Sequence, residues 1–332
     1  MKPPRFWRNP PEAPGWQSWL LAPLAALVAR ATARRVARGG GWRAPVPVIC
    51  VGNANLGGTG KTPAVIALAE RLIALGHAVH FVSRGHGGSA RGVLRVDPMR
   101  HPAGLVGDEP LLLAAFAPAW VAKDRAAGCR AAVEAGAEVL LLDDGLQNPS
   151  VEKDLSILTV DAVEGFGNAR VAPAGPLREP VAAALSRADL VLAIGDAAAQ
   201  ARFAARWPLS SRPRLTAELR PLETGMDWRG MPVFAFAGIG RPGKFFATLR
   251  ALGADLRGTV ALSDHQPISM AMLQRLAAAA QAAGADLVTT EKDAVRLPRG
   301  HQGRILVLPV RLVPTDWAPF DGFLEKLGLR RP

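Results

Sequence analysis

The stretch Val51–Pro63, VGNANLGGTGKTP, decides the fold. It follows the apolar run Val46–Val51, a predicted strand, and leads into Pro63–Leu75, whose apolar residues recur at helical spacing. Glycines between a strand and a helix let backbone N–H groups close around phosphate oxygens, and the helix N-terminus adds its dipole. The predicted phosphate-binding residues are Asn55, Gly57, Gly58, Thr59, Gly60, Lys61 and Thr62.

Two features of this loop carry specific predictions. Lys61 is expected to reach the β- and γ-phosphates, and the Thr62 hydroxyl is expected to bind Mg²⁺. The first glycine of the common G-x-x-x-x-G-K-[ST] pattern falls on Asn55, so the match is incomplete. The alternative is a glycine-rich turn with a chance Lys-Thr pair.

A second metal-binding element is predicted at Val139–Gly145, VLLLDDG. An apolar strand here would deliver acidic residues to its carboxyl end, where open α/β sheets bind ligands. Asp143 or Asp144 would then hold Mg²⁺ directly or through water. The alternative is an ordinary Asp-Gly turn.

The rest of the chain alternates short apolar runs with helical stretches, which indicates an α/β fold with largely parallel sheets covered on both faces. A Pro/Arg-rich stretch, Arg206–Pro221, resembles a linker, and the alternation restarts after it. We therefore expect two α/β units, the first of the P-loop NTPase type. The expected boundaries are an N-terminal segment at residues 1–43, a first unit at 44–205, a linker at 206–222 and a smaller unit at 223–332.

Composition narrows the class of protein. The 332 residues are 49% hydrophobic and 20% charged, which excludes wholesale disorder, and two cysteines exclude a disulfide scaffold. The formal net charge of +12 suggests an anionic partner or reflects nucleotide bias alone. No helix-turn-helix, zinc or RNP signature is present, so no nucleic-acid partner is expected.

The N-terminal segment combines an apolar run with a basic cluster. Trp16–Ala29, WQSWLLAPLAALVA, is shorter than the ~20 residues of a spanning helix. Arg30, Arg34, Arg35 and Arg38 follow it, whereas a signal peptide has its charges first. We expect a helix lying in a membrane interface against anionic headgroups. The alternative is an amphipathic helix packed on the body of the protein.

Three further segments place polar residues where a site could form. Asp108, in GDEP, is either a general base or a helix N-cap. His265, in SDHQ, follows a predicted strand, although a lone histidine is more often structural. Thr289–Asp293, TTEKD, ends another predicted strand, and capping acids at a solvated helix start explain it equally well.

Taken in order, these segments resemble the tetraacyldisaccharide 4′-kinase family of the Gram-negative lipid A pathway. The matching segments span about Pro47 to Leu297, and the N-terminal apolar-basic helix also matches. They are GNANLGGTGKTP, SRGHGG, GDEP, LLLDDGLQN, EGFGNARVAPAGPLREP, VFAFAGIGRP, SDH and TTEKDAVRL.

The resemblance implies a lipid kinase that uses ATP and Mg²⁺. Its substrate would be a tetraacyl glucosamine disaccharide 1-phosphate, phosphorylated on the 4′-hydroxyl to give the bisphosphorylated lipid A precursor, lipid IVA. The enzyme would be peripheral or monotopic on the cytoplasmic face of the bacterial inner membrane, with no obligate protein partner. Two α/β/α domains joined by a short linker would enclose the active site.

The resemblance also assigns roles to individual residues. Asp108 matches the general base and His265 the histidine that partners it. Thr62, Asp143 and Asp144 match the residues at the metal. The EGFGN and PLREP segments supply the candidate substrate residues Glu164, Asn168, Arg170 and Arg178.

This sequence departs from the family pattern at three positions: Asn148 and His86 replace a histidine and a tyrosine, and Gln266 stands where a second histidine is common. A different class, the partitioning and nitrogenase-type switch ATPases, also carries GGTGKT. Those proteins have a lysine just before the paired glycines, where this chain has Leu56.

Overall fold

A computed structural model describes residues 3–209, 212–298, 300, 303 and 305–329. Within these residues the strands form two sheets, one of nine strands and one of four. Helices cover the sheets, and the α/β class with mostly parallel strands is confirmed.

The nine-stranded sheet has the order β13-β8-β7-β6-β1-β5-β2-β4-β3. All neighbours pair in parallel except β3 with β4 and β13 with β8. Its central strands are buried along their whole length, which explains their nearly continuous apolar sequences. The strands are β1 Val48–Gly52, β2 Val79–Ser83, β3 Val93–Arg95, β4 Ala119–Ala122, β5 Val139–Asp143, β6 Leu155–Asp161, β7 Leu190–Ile194, β8 Arg214–Pro221 and β13 Val310–Pro314.

The four-stranded sheet has the order β10-β9-β11-β12, and all its strands are parallel. The strands are β9 Pro232–Ala237, β10 Asp255–Ala261, β11 Asp286–Thr290 and β12 Leu306–Leu308. Polar residues that follow β10 and β11 therefore lie at the same edge of this sheet.

The helices begin where the sequence offers a suitable first turn. Helix α3 starts at Lys61 after Gly60, and side chains of Asp124, Asp196, Ser269 and Thr290 cap α6, α8, α10 and α11. The helices are α1 Trp16–Leu20, α2 Ala22–Val36, α3 Lys61–Ala74, α4 Ala103–Val106, α5 Asp108–Leu113, α6 Arg125–Glu134, α7 Val181–Ser186, α8 Ala197–Arg206, α9 Pro242–Ala251, α10 Met270–Ala282, α11 Glu291–Ala294 and α12 Ala318–Lys326; a 3₁₀ turn spans Arg5–Arg8.

The expected linker is wrong for Arg214–Pro221, which forms strand β8 of the large sheet. Leu215 and Ala217 alternate with polar residues and are buried, as in a strand with one buried face. The prolines and arginines of this stretch obscured that alternation.

The last part of the chain also departs from the expected boundaries. Strand β13 pairs antiparallel with β8, and Phe320 and Leu324 of α12 are buried in the core of the large sheet. The segment after β12 therefore returns from the small sheet to the large one. The described residues between 223 and 329 therefore do not form one separate unit.

The N-terminal segment forms two helices rather than one, because the helix is interrupted at Leu21. Trp16 and Trp19 are 70% and 59% exposed, and Leu20, Leu24 and Leu27 are exposed beside them. Ser18, Ala25 and Thr32 face the protein. Over the described parts of the chain, no helix combines the length and apolar character needed to cross a membrane.

Candidate active site

The predicted phosphate loop connects β1 to α3. Gly60 has a φ of 85°, and a Cβ at that position would come within 2.7 Å of Ile194 Cδ1, so the turn into the helix requires glycine. Lys61 Nζ donates to Asn53 Oδ1 at 3.2 Å, and the hydroxyls of Thr59 and Thr159 are hydrogen-bonded at 3.2 Å. The loop is therefore held in shape by its neighbours.

Asn55 has a structural contact where the sequence predicted phosphate binding. Its side chain is buried, and its Nδ2 donates to Gly165 O at 3.1 Å. The main chain of Asn55 also forms a bridge with Leu177. Asn55 thus joins the phosphate loop to two neighbouring loops, to one through its side chain and to the other through its main chain.

A cavity of about 360 Å³ opens beside the phosphate loop, between the two sheets. Gly58–Thr62 line one wall, and Arg241 and Lys244 of the small-sheet unit line the opposite wall. Glu109, Asp264 and Lys292 also reach this cavity. A phosphate-sized anion would meet glycine amides, the start of α3 and several cationic side chains here.

The two acids at the end of β5 have opposite environments. Asp143 is 2% exposed, and its Oδ1 accepts no hydrogen bond from any residue that the structure describes. Burial, followed by the charge of Glu109, raises the pKa of Asp143 to about 7. A buried carboxylate oxygen without a partner is typical of a site that a cation completes.

Asp144, by contrast, is already paired. It has a φ of 56°, and Arg178 Nη1 donates to both of its carboxylate oxygens at 2.9 Å. Burial raises the pKa of Asp144, but Lys61 and Arg178 outweigh burial and lower it below the usual range. Arg125 fixes the turn by donating to the carbonyl oxygens of Asp143 and Asp144 at 3.0 and 2.6 Å.

Thr62 is buried in the first turn of α3. Among the described residues, no three histidine, cysteine or acidic side chains cluster as a complete metal cage. The oxygen donors of Thr62 and Asp143 fit Mg²⁺, which takes one or two carboxylates and fills its other positions with water and substrate phosphates.

Asp108 and His265 come from different sheets and meet. Asp108 lies at the first residue of α5, and His265 lies in the loop after β10 with a φ of 58°. His265 Nδ1 is 3.1 Å from Asp108 Oδ1 and 2.9 Å from Asp108 Oδ2. Gly107, not Asp108, holds the N-cap position of α5, so the capping alternative for Asp108 is wrong.

Cations surround this pair. Lys292 Nζ lies 3.2 Å from Glu109 Oε1 and 3.3 Å from His265 Nε2, and Arg296 Nε lies 3.7 Å from Asp108 Oδ2. Burial raises the pKa of Asp108, but the hydrogen bond with His265 and the charges of Lys292 and Arg296 lower it overall. The hydrogen bond with Asp108 raises the pKa of His265, while burial and Lys292 oppose that rise. Asp108 is therefore a carboxylate at neutral pH.

Sequence reasoning missed the role of Lys292, Glu109 and Arg241 at this cavity. Arg241 pairs with Asp161 at 3.1 Å across the two sheets. The three residues lie in the segments TTEKD, GDEP and VFAFAGIGRP, and Arg241 and Lys292 follow strands β9 and β11. For Arg241 and Lys292, the position after the carboxyl end of a parallel strand was the sequence signal that could have identified them as site residues.

The four candidate substrate residues separate in the structure. Arg178 contacts Asp144, and Glu164 lies 3.4 Å from Arg8 Nε. The guanidinium of Arg170 lies 4.3 Å from the ring centroid of Trp19 in α1, a cation–π contact.

Asn168 does not fit a substrate contact, and that expectation is wrong. It is fully buried, and its Nδ2 donates to Ser18 Oγ at 2.9 Å and to Ala174 O at 3.0 Å. Its Oδ1 accepts from Arg170 N at 3.1 Å. The side chain is therefore used to fasten the N-terminal segment to the body.

The chain is similar to known proteins over nearly its whole length. The family model for tetraacyldisaccharide-1-P 4′-kinase matches residues 17–328. Tetraacyldisaccharide 4′-kinase of Dinoroseobacter shibae is 59% identical over 98% of both chains. That of Jannaschia sp. is 56% identical over 98% of this chain and 99% of the relative.

A solved structure is also similar. The crystal structure of LpxK from Aquifex aeolicus in complex with ATP aligns with a TM-score of 0.74 at 25% identity, covering 93% of this chain and 99% of the other. Sequence and structural matches therefore extend over nearly the whole chain. The chain belongs to the tetraacyldisaccharide-1-P 4′-kinase family.

Proposed function

We propose that this chain transfers the γ-phosphoryl group of ATP to the 4′-hydroxyl of a tetraacyl glucosamine disaccharide 1-phosphate, with Asp108 as the general base. The observation that carries the proposal is the Asp108–His265 contact of 2.9 Å beside a cavity whose opposite wall is the phosphate loop. Family membership supplies the reaction.

ATP would bind across Gly57–Thr62. The Aquifex aeolicus protein was crystallised in complex with ATP, and the cavity here offers glycine amides and Lys61 to the same kind of group. Asn55 would support the loop through Gly165 rather than contact the phosphates.

Mg²⁺ would be held by Thr62 and Asp143, with Asp144 beside them. The unpartnered Oδ1 of Asp143 supports this assignment. When bound, the cation neutralises charge that develops on the phosphates. Lys61 Nζ lies 3.9 Å from Asp144 Oδ2 and donates to Asn53 Oδ1. These two contacts would hold Lys61 near the phosphate oxygens.

Asp108 would accept the proton of the attacking 4′-hydroxyl. Its low pKa keeps it ionised, and each of its oxygens retains lone-pair capacity beyond the bond to His265. His265 orients the carboxylate from the small-sheet unit. In phosphoryl transfer, most of the rate acceleration comes from such positioning and from charge neutralisation.

The lipid would enter from an anionic membrane surface, on the cytoplasmic face of the inner membrane. Exposed Trp16, Trp19 and Leu27 on α1 and α2, together with the exposed Arg30 and Arg34, support a helix pair lying in the interface. The guanidinium of Arg170 packs on Trp19, which places a positive charge where this helix pair meets the body. Arg170 and Glu164, which lie in the same segment, remain candidate substrate contacts.

The test is transfer of radiolabelled phosphate from γ-labelled ATP to a panel of lipid A precursors in detergent, with soluble sugars as controls. We expect labelling of the acylated disaccharide 1-phosphate alone, and its loss in Asp108→Asn. ATP turnover that is independent of the lipid would contradict the proposal. The membrane part is tested separately by sedimentation with anionic and neutral vesicles, where Trp19→Ser should weaken binding and Met99→Ser, at an exposed apolar residue outside the helix pair, should not.

A further inference from the structure

The loop that holds His265 faces a lysine that no part of the proposed reaction uses. Lys292 lies at the start of α11, and its Nζ is 3.3 Å from His265 Nε2, on the side of the ring opposite Asp108. The same Nζ is 3.2 Å from Glu109 Oε1, so one lysine contacts both the histidine and the residue next to the proposed base.

The chemistry of Lys292, His265 and Asp108 fixes which ring nitrogen of His265 carries the proton. An ammonium group has only donors, so the ring nitrogen that faces Lys292 must accept. Neutral imidazole carries its proton on one nitrogen only, and an accepting Nε2 leaves that proton on Nδ1. Nδ1 is the atom 2.9 Å from Asp108 Oδ2, so it donates to the carboxylate.

We propose that Lys292 is a positioning residue that holds His265 as the neutral Nδ1–H tautomer and thereby keeps Asp108 oriented and basic toward the sugar hydroxyl. The inference rests on the proposed base role of Asp108. It adds a residue of the TTEKD segment to the apparatus of the reaction.

Other charged groups around His265 agree with this assignment. Asp264, on the same loop, has its Oδ1 3.7 Å from Nε2, farther than Lys292 and beyond hydrogen-bonding distance. His86 packs its ring edge-on at 5.9 Å between centroids, and Arg296 contacts Asp108 rather than the histidine. Burial lowers the pKa of Lys292, but Glu109, Asp108 and Asp264 outweigh burial and raise it, which keeps the ammonium charged.

Loss of Lys292 should allow a second proton on the ring. With an imidazolium beside it, Asp108 would sit in an ion pair and would be a weaker base toward the sugar hydroxyl. The variant should therefore lose rate and should need a higher pH for activity, because the positive charge that disfavours the imidazolium is gone.

The experiment combines a spectroscopic and a kinetic readout on the full chain. The ¹⁵N signals of the His265 ring, identified by their loss in His265→Ala, are recorded at about pH 8.5, above the ordinary pKa of histidine. We expect a protonated Nδ1 and an unprotonated Nε2 in the natural protein. In Lys292→Met we expect proton occupancy on Nε2 and a ring pKa higher by about one unit.

The pH dependence of kcat/KM should change together with the protonation of the His265 ring. The acid limb of the kcat/KM profile is expected to move upward by about one pH unit in Lys292→Met. Lys292→Arg, which retains charge and donors, should restore both the tautomer and the limb. Lys292→Gln provides a second test if the methionine variant does not fold, since it retains a donor without charge: the tautomer should survive while the ring pKa rises.

Lys244→Met is the matched control, because Lys244 lines the same cavity but pairs with Asp161 at 3.8 Å. It should leave the ring signals of His265 unchanged. An unchanged tautomer and an unchanged acid limb in Lys292→Met would overturn the proposal, as would a rise in KM for ATP as the sole effect. Because the ring signals do not depend on turnover, failure of phosphate transfer in the natural protein would refute the proposed function without affecting the spectroscopic part of this test.

Discussion

Two acidic centres flank the cavity, and they differ in what neutralises them. At the start of α5, Asp108 is surrounded by His265, Lys292 and Arg296, and its pKa is lowered. At the end of β5, Asp143 has no hydrogen-bonding partner for Oδ1 among the described residues, and its pKa is raised to about 7.

The difference shows how two buried aspartates acquire different tasks. The cations around Asp108 come mostly from the small-sheet unit, so its basicity depends on contact between the two sheets. Asp143 lies within the large sheet, where the charges of Lys61 and Arg125 do not offset its burial, so its environment favours a cation from solution. Substitutions at each centre test this contrast.

The largest effect is expected from Asp108→Asn. The amide has the same shape but cannot accept the hydroxyl proton, so kcat should fall about 10²- to 10⁴-fold with little change in KM for ATP. Steady-state phosphate transfer measures both constants. A kcat close to that of the natural protein would remove Asp108 as the base.

A double variant tests whether Asp108 and His265 act together in the reaction. Because His265 is expected to act through Asp108, the loss in Asp108→Asn/His265→Ala should be smaller than the product of the two single losses. Strictly multiplicative losses would argue against a pair that acts together.

Asp143→Asn should have the next largest effect, and it should appear in the metal requirement. Loss of one carboxylate ligand should raise the Mg²⁺ concentration for half-maximal activity by at least about tenfold. Activity is measured over a Mg²⁺ titration at saturating ATP. A reduced maximal rate with an unaltered Mg²⁺ midpoint would contradict the assignment of Asp143.

The metal-free stability should depend on pH through the same carboxyl group. Its pKa is about 7 in the folded protein and about 4 when unfolded, so the unfolded state releases the proton first as pH rises. The contribution of protonated Asp143 to stability is full below about pH 4 and is lost as pH rises toward about 7. Thermal unfolding in EDTA should show this decline, and Asp143→Asn should flatten it. An equal decline in both proteins would mean that other groups cause it.

The smallest effect is expected from Arg178→Met, which removes the partner that Asp144 has and Asp143 lacks. The pair is partly exposed, so its loss should cost roughly 1 kcal/mol in the free energy of unfolding. Arg220→Met is the matched control, because its pair with Glu218 is exposed and should contribute almost nothing. Denaturant unfolding of both variants makes the comparison, and equal losses would show that Arg178 does not stabilise Asp144.

The expectations that proved wrong share a cause. Asn168 was expected to touch substrate because its EGFGN segment resembles that of the family, yet its partner Ser18 is 150 positions away in the chain. Strand β8 was expected to be a linker; it pairs with β7 on one side, and its partner on the other side, β13, is formed by residues about a hundred positions later. Neither partner could be inferred from the local residues.

The sequence by itself determined the phosphate loop and the acids after β5, because each is a contiguous strand-to-loop unit whose backbone conformation follows from its own residues. Only the tertiary structure decided which groups neutralise the acids that flank the cavity, including Asp108 and Glu109 at the start of α5. His265 lies 157 positions from Asp108, and Lys292 lies 183 positions from Glu109. The state of a buried carboxylate depends on charges within a few ångströms, and the fold, not the local sequence, brings those charges together.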